Sequence, residues 1–590
     1  MARTRKTKQP LTTAQQLSAL IKSARDILRK DKGLNGDIDR LPLLTWVMFL
    51  KFLDDLETLH EEEAALDGQP YHPIIESPYR WRDWAAREDG ISGEELLGFI
   101  GQDTAVRPDG VSGMGLFRYL RSLAGTGEKG SQREVIANVF GGVQNRMVSG
   151  YLLRDIINKI NGIHFSASEE IHTLSHLYES MLREMRDAAG DSGEFYTPRP
   201  VVRFMVEVTS PKLGETVLDP ACGTGGFLVE AYDHLAGQVK TPDDRRILQR
   251  DTLHGQEAKP LPYMLAQMNL LLHGLEAPMI AYGNTLIGKL TDIGERERVD
   301  VILTNPPFGG EEEAGIKANF PADKQTAETA LLFLQYIMRK LRRQPKPGRA
   351  AVVVPNGTLF GDGVSARIKE ELLGEFNLHT IVRLPQGVFA PYTDITANLI
   401  FFDRTGPTSD IWYYELPLPE GRKKYSKTAP LQYEEFSGCL EWWRQRQGNA
   451  HAWKVDFAAI KVAARAQAEP LWKQSEAEKQ SAMNLGKRLR EIDQMLSAAN
   501  GAGSQKASLE AEQRDLKRRQ HEHEEAAKTA QREGDAIYWP IYNLDLKNPH
   551  AKADLDHAAP QDLVAAMRAG EQEVMRLLAE IEALVSETSP

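Results

Sequence analysis

Cysteine is nearly absent. Cys222 and Cys439 are the only two in 590 residues, too few for a disulfide framework or a cysteine zinc site. This usage suits a reducing cytoplasm. A long apolar run is missing too. The most apolar stretch, Leu41 to Leu50, is about half of what a bilayer span needs and predicts a core helix, with no membrane association. The basic start, Met1 to Lys8, is followed by no apolar signal-like segment. Positive charge is outweighed: 72 Lys and Arg against 83 Asp and Glu leave a net −11. That excludes coating nucleic acid by bulk electrostatics, so any DNA contact needs a local basic surface or a partner. What remains, 41% hydrophobic and 26% charged, is ordinary globular composition in a chain too long for one core.

The pattern divides the chain into three. Residues 1–165 predict a helical domain: Leu17, Leu20, Ile21, Ala24 and Leu28 recur at helical steps, and Tyr151 to Ile160 opens another such helix. Trp81 and Trp84 fall in a polar connection. Residues 166–470 alternate strands with helices, the signature of a doubly wound α/β sheet. Strands are expected at 216–219, 252–257, 279–282, 299–304, 350–354, 380–384 and 398–402, with helices at 227–234, 262–273 and 330–341. The last two strands would close a mixed sheet as a hairpin-like pair. Residues 471–590 are charged and helical. Trp472 to Ala498 and Ala507 to Arg532 flank a turn at 500–504, and Leu485, Leu489, Ile492 and Leu496 offer a seam. An aromatic, loop-like stretch from Tyr538 to Pro549 follows. An amphipathic helix from Gln561 to Glu587 closes the chain, its stripe suited to docking on a partner helix or on the chain's own hairpin.

Chemistry concentrates at the carboxyl ends of two strands. Val299-Asp-Val-Ile-Leu-Thr-Asn305-Pro306-Pro307-Phe308 reads as a buried parallel strand halted by two prolines that cannot donate to a ladder. The rigid turn carries an amide, Asn305, and a ring, Phe308, where open α/β sheets bind ligands. An Asn oxygen and a neighbouring carbonyl can accept both hydrogens of an exocyclic amino group while the ring stacks on the base. Upstream, Val217-Leu-Asp219-Pro-Ala-Cys222-Gly223-Thr224-Gly-Gly-Phe227 joins a strand to a helix. Its glycines let backbone N–H groups approach a ligand. The spacing is not that of the dinucleotide fingerprint. The next strand ends in Glu257, placed to hold two ribose hydroxyls, and the third leads to Asn284, which could read an adenine edge.

Taken together, D-P-A-C-G-T-G-G-F followed by N-P-P-F resembles motifs I and IV of the S-adenosylmethionine-dependent adenine-N6 DNA methyltransferases. Gly193-Glu194-Phe195-Tyr196-Thr197-Pro198 resembles motif X, which in that family closes over the methionine part of the cofactor. The order X, I, IV is that of the gamma class. The helical first domain, the Phe-Tyr-Thr-Pro-Arg element and the Asn-Leu-Asp-Leu-Lys-Asn-Pro tail resemble the modification subunit of type I restriction–modification systems. The resemblance implies a bacterial-defence transferase with S-adenosyl-L-methionine as cofactor. Asn305, Pro306, Pro307 and Phe308 would be catalytic. Gly193 to Pro198, Asp219, Cys222, Gly223, Thr224, Glu257 and Asn284 would bind the cofactor. Asn284 stands where many relatives carry Asp, and its carbonyl can still accept from an adenine amino group. Cys222 is read as packing, since direct transfer needs no covalent enzyme intermediate and no metal. The implied partners are double-stranded DNA, a specificity subunit, a second modification subunit and a restriction motor–nuclease.

Other patterns carry less. Gly283 to Lys289 mimics a Walker A loop, but Leu290 replaces the Ser or Thr that would hold magnesium. Pro242-Asp243 with Glu257-Ala-Lys259 mimics a nuclease pattern with its first part in a loop or helix start. Arg339-Lys-Leu-Arg342-Arg343 ends a helix, where cations complement the dipole, and Arg422 to Lys427 is basic with Tyr425 between the charges. A protein glutamine methyltransferase shares the Asn-Pro-Pro turn, although it usually has Tyr at the Phe308 position and is shorter. The motifs are also compatible with a self-sufficient adenine methyltransferase. A non-catalytic scaffold of the same fold is disfavoured by intact Asn305, Phe308 and Glu257.

Overall fold

The computed structural model describes residues 13–125, 131–163, 197–390, 393–498 and 503–550. Helices dominate up to residue 163, led by Thr13–Leu28, Asp37–Leu66, Gln132–Gly141 and Gly150–Asn161. The apolar Leu41–Leu50 run lies within the second of these, with Trp46, Val47 and Phe49 buried as a core helix requires. Trp81 and Trp84 do not lie in a polar connection: they form one helical turn, Trp81–Trp84, and both are buried. Three-residue spacing puts the two indoles on one side of that turn, and Trp81 Nε1 donates to Asn161 Oδ1 at 2.9 Å. A small antiparallel hairpin, β1 (Thr104–Val106) with β2 (Ser112–Met114), interrupts the helices. Strands this short leave no alternation to read.

Nine strands form the central sheet: β3 (Val217–Asp219), β4 (Leu253–Glu257), β5 (Met279–Tyr282), β6 (Val301–Thr304), β7 (Arg349–Pro355), β8 (Asn377–Arg383), β9 (Ala397–Asp403), β10 (Asp410–Glu415) and β11 (Ala452–Asp456). Their spatial order is β11-β10-β8-β9-β7-β6-β3-β4-β5. Neighbours are parallel except where β9 meets β7 and β8, and where β11 meets β10. The sheet is mixed, as expected, but β8 and β9 do not end it. The antiparallel β9 slots between β7 and β8, leaving the other edge of β8 open, and β10 occupies that edge in parallel. Ile411 and Tyr413 of β10 are thereby buried.

The parallel strands β3, β4, β5 and β6 bring their carboxyl ends to one rim, and with them Asp219, Glu257, Tyr282 and Thr304. Both faces of the sheet are buried, so its inner strands read as unbroken apolar runs, as in Val301-Ile-Leu. Helix Pro260–Leu272 belongs to two cores at once. Met264, Leu265, Met268 and Leu271 pack with the helical domain, while Tyr263, Ala266 and Leu270 face the sheet. That double duty explains a helix apolar around most of its circumference.

Beyond β11 the chain forms a long antiparallel hairpin of Phe457–Ala498 and Gly503–Tyr538, both longer than the sequence pattern suggests. Leu489, Ile492 and Leu516 are buried in its seam. The aromatic stretch after it is a strap on the sheet: the Leu544 N–H donates to the Leu359 carbonyl at 2.7 Å, and the Tyr413 hydroxyl donates to the Leu544 carbonyl at 3.1 Å. The stretch from Gln561 to Glu587 lies outside the described residues. Among the described residues no helix is long and apolar enough to cross a membrane.

Candidate functional site

Where β3 ends, Pro220 stops the strand and the chain turns through Gly223 (φ 53°) and Gly225 (φ 80°) into helix Gly226–Ala236. The Cys222 N–H donates to the Gln256 carbonyl at 3.0 Å, locking this loop onto β4. Gly225 also lets the loop approach helix Pro260–Leu272, where an added Cβ would sit 3.4 Å from Ala266. From that helix Asn269 Nδ2 donates to the Thr224 carbonyl at 3.0 Å. Cys222 is buried, and burial pushes its thiol well above the ordinary range, as suits packing and not nucleophilic attack.

Two buried carboxyls brace the loop. Asp219 Oδ1 accepts from the Ala221 N–H at 3.1 Å and from the Thr304 hydroxyl at 2.7 Å. Burial, with the Glu257 charge adding to it, pushes the Asp219 carboxyl up to about 7 against those hydrogen bonds. Glu257 Oε2 accepts from the Gly223 N–H at 2.9 Å and Oε1 from the Lys259 N–H at 2.8 Å. Burial raises the Glu257 carboxyl as well. Each of its oxygens has a second lone pair for a ligand hydroxyl.

The Asn-Pro-Pro-Phe turn follows β6 directly. Asn305 Nδ2 donates to Thr197 Oγ1 at 3.0 Å, while Asn305 Oδ1 is buried with no hydrogen-bond partner among the described residues. An unpaired buried acceptor is costly unless a ligand completes it. Phe308 meets Phe389 edge-on, ring centres 5.2 Å apart.

These elements enclose a cavity of ≈ 330 Å³ whose wall includes Thr197, Asp219, Cys222, Gly223, Thr224, Glu257, Asn284, Asn305 and Pro307. The structure thus gathers nine of the residues singled out from the sequence, drawn from separate segments, around one space. Pro198, Pro306 and Phe308 are not on that wall. Gly193, Glu194, Phe195 and Tyr196 lie outside the described residues. Asn284 also has a structural task. Its Oδ1 accepts from the Leu286 N–H at 2.9 Å, capping the short turn Thr285–Ile287, and its Nδ2 lies 3.5 Å from Glu312 Oε2.

Sequence reasoning missed several wall residues: Arg199, Lys259, Asn269, Glu311 and Glu312. Arg199, whose guanidinium is lowered by burial, comes one residue after the Thr-Pro pair. Asn269, like Gln267, is a polar residue inside a mostly apolar helix, a signal in itself. Phe389 sits in the connection between β8 and β9, where no sequence signal marks it.

The weaker patterns resolve into structure. Arg339 Nε donates to the Leu290 carbonyl, and Arg342 pairs with Asp300 at 2.6 Å. In the other basic cluster Tyr425 is buried, its hydroxyl donating to Glu435, which also pairs with Arg422. Pro242-Asp243 opens an exposed helix capped by Thr241.

Two family models match the chain: N-6 DNA Methylase over residues 169–480 and the HsdM N-terminal domain over residues 17–102. The EcoEI methylase subunit of a type I restriction enzyme from Escherichia coli is 48% identical over 453 residues, 75% of this chain and 88% of its own length. A modification subunit of known structure from Vibrio vulnificus YJ016 is 68% identical and covers 77% of this chain and 94% of its own, with a TM-score of 0.73. A chain from a structure of type I R-M complex assembly is 36% identical, covers 98% of this chain and 100% of its own, and has a TM-score of 0.66.

Proposed function

The chain belongs to the type I restriction methylase subunits within the N-6 DNA methylase family, and on that premise we propose how its site performs adenine methylation. The protein is an adenine-N6 DNA methyltransferase that works within a type I complex, alongside specificity and restriction subunits and DNA. A second modification subunit completes the assembly in this reading. Residues 1–165, 166–470 and 471–590 serve as the helical, catalytic and C-terminal units.

The observation that carries the reading is the buried, unpaired Asn305 Oδ1 on the wall of the glycine-loop cavity. An adenine amino group is a poor nucleophile because its lone pair is delocalised into the ring. Asn305 Oδ1 and the Pro306 carbonyl would accept its two hydrogens, favour tetrahedral nitrogen and aim the lone pair into the cavity. Phe308, backed by Phe389, would stack on a base swung out of the duplex. Once methylated the nitrogen is cationic and strongly acidic, so it gives up its extra proton to water without a strong base, and positioning matters more than acid–base strength.

The donor set fits S-adenosylmethionine. Glu257 has lone pairs for the ribose hydroxyls, and the Gly223–Gly225 turn allows close approach of the backbone. Buried Asp219 favours a cationic ligand, and the Arg199 guanidinium suits a carboxylate. Asn284 would stand by an adenine edge, its acceptor already half-used by Leu286. Bound there, the cofactor supplies an activated methyl on a sulfonium that departs as a neutral thioether.

The test is mass spectrometry of nucleosides from DNA treated with the purified complex and S-adenosylmethionine. N6-methyladenine is expected among them. Bound cofactor without any methyladenine would refute the assignment.

A further inference from the structure

We infer that Thr197 is a positioning residue, pinning the Asn305 amide at the edge of the substrate space. The inference rests on the methyltransferase reading above and deepens it.

An Asn side chain has two ends of nearly equal size and opposite hydrogen-bond character, with a donor NH₂ and an acceptor oxygen. Only the acceptor end can receive a hydrogen from an adenine amino group. With the amide turned over, two donors would face each other and the base would be rejected. A hydroxyl beside the amide can accept from its nitrogen or donate to its oxygen, so it pins the side chain in place, and an amino group, with only hydrogens to offer, takes the acceptor end. In the structure the donor end is claimed: Asn305 Nδ2 donates to Thr197 Oγ1 at 3.0 Å. That leaves Oδ1 buried, unpaired among the described residues, and on the cavity wall.

Position adds a second consequence. Thr197 lies 108 residues before Asn305, two residues ahead of helix Arg199–Thr209, and it shares the cavity wall with the glycine loop. The residue that pins the amide therefore belongs to the wall around the cofactor space, not to the Asn-Pro-Pro-Phe turn. A displaced Thr197 would free the amide to rotate, so a wrongly seated cofactor segment would cost methyl transfer even with DNA bound.

The experiment compares Thr197→Val with Thr197→Ser in the complex with its specificity subunit. Valine keeps the shape and removes the hydroxyl, while serine keeps it. Methyl transfer is followed under saturating DNA and S-adenosylmethionine, and cofactor Kd by calorimetry. The valine variant is expected to lose at least about tenfold in kcat with cofactor Kd within about threefold of the parent. The serine variant should stay within about threefold on both. Thr197→Ala gives the same reading should the valine variant fail to purify. A loss in cofactor affinity that matches the loss in rate, or a serine variant as slow as valine, would overturn the inference in favour of a plain binding role. So would unchanged turnover in the valine variant. Absence of adenine methylation by the parent complex would instead refute the enzyme assignment itself.

Discussion

Thr304 donates its hydroxyl to Asp219 Oδ1 at 2.7 Å, and both side chains are buried. One is the last residue of β6 and the other the last of β3, so a single bond joins the glycine loop to the Asn-Pro-Pro-Phe turn. Removing it leaves the Asp219 carboxyl with the Ala221 N–H as its remaining described donor. Thr304→Val, which preserves shape, is expected to destabilise the protein by about 1–3 kcal/mol, the scale of an unsatisfied buried polar group. Thr304→Ser should recover most of that. Thermal unfolding of the three proteins measures it, and an unchanged valine variant would show the bond to be dispensable.

Asp219 also sets a pH dependence. Its carboxyl is raised from near 4 to about 7 by burial, so between those limits the folded protein holds a proton that the unfolded chain has released. This group's contribution to stability therefore falls as pH rises from about 4 to 7, by at most about 1.4 kcal/mol per unit. A cationic cofactor has the opposite preference, for the ionised carboxylate. S-adenosylmethionine affinity is expected to weaken as pH drops below about 7. Asp219→Asn should flatten both trends in denaturation and calorimetry between about pH 5 and 8, and identical slopes in the two proteins would rule Asp219 out as their source.

Glu257 carries two tasks, and substitutions can separate them. It accepts the Gly223 N–H with one oxygen and the Lys259 N–H with the other, so it shapes the loop as well as offering lone pairs to a ribose. Glu257→Ala is expected to weaken cofactor binding by roughly 1.5–3 kcal/mol, the range for hydrogen bonds to a charged group. Glu257→Gln keeps one acceptor and should lose less. Calorimetric affinity equal to that of the parent in the alanine variant would remove Glu257 from the cofactor site.

Asn305→Ala should abolish methyl transfer and leave cofactor affinity within a few-fold. The side chain meets the cavity through its amide alone, and the glycine loop is held by Asp219, Glu257 and Gln256 without it. Tritiated-methyl assays and calorimetry on the same preparation give both numbers. A variant that keeps most of the turnover would shift the chemistry to another residue.

What the sequence disclosed and what it hid follow from range. The strand stopped by Pro306-Pro307 and the glycine turn after Asp219 are local statements, made by neighbouring residues about their own backbone. Both were legible. β10 was not, although Ile411, Trp412, Tyr413 and Tyr414 are strand formers, because its partner β8 lies about 30 residues back and pairs with β9 on its other edge, which no neighbouring residue announces. Asn284 shows the reverse. Its place at the rim is legible, but the bond its oxygen accepts from the Leu286 N–H is set by the short turn it caps. Thr197 and Thr304 could not be assigned partners from sequence, since hydroxyls pair with whatever the fold brings near.

The chain by itself is expected not to recognise a DNA sequence, and to gain that ability with a specificity subunit. Its −11 charge disfavours unaided binding at physiological salt. After β11, the described residues form a hairpin whose apolar seam, Leu489, Ile492 and Leu516, is closed on itself, and no base-reading domain follows among them. The strap then anchors the chain to the sheet: Asn548 Nδ2 donates to Glu415 Oε2 at 3.1 Å, and Arg383 pairs with Asp545 at 2.6 Å. A chain ending at His550 would therefore keep these anchors and the cavity. It would lose the Gln561–Glu587 stripe, whose sequence suits docking on a partner helix. The truncated chain should bind S-adenosylmethionine as the full chain does, yet fail to co-purify with the specificity subunit and fail to methylate its site. Robust methylation of one defined sequence by the full chain alone would refute the dependence on a partner. A truncated chain that still assembles would move the docking surface to the hairpin or to the helical domain.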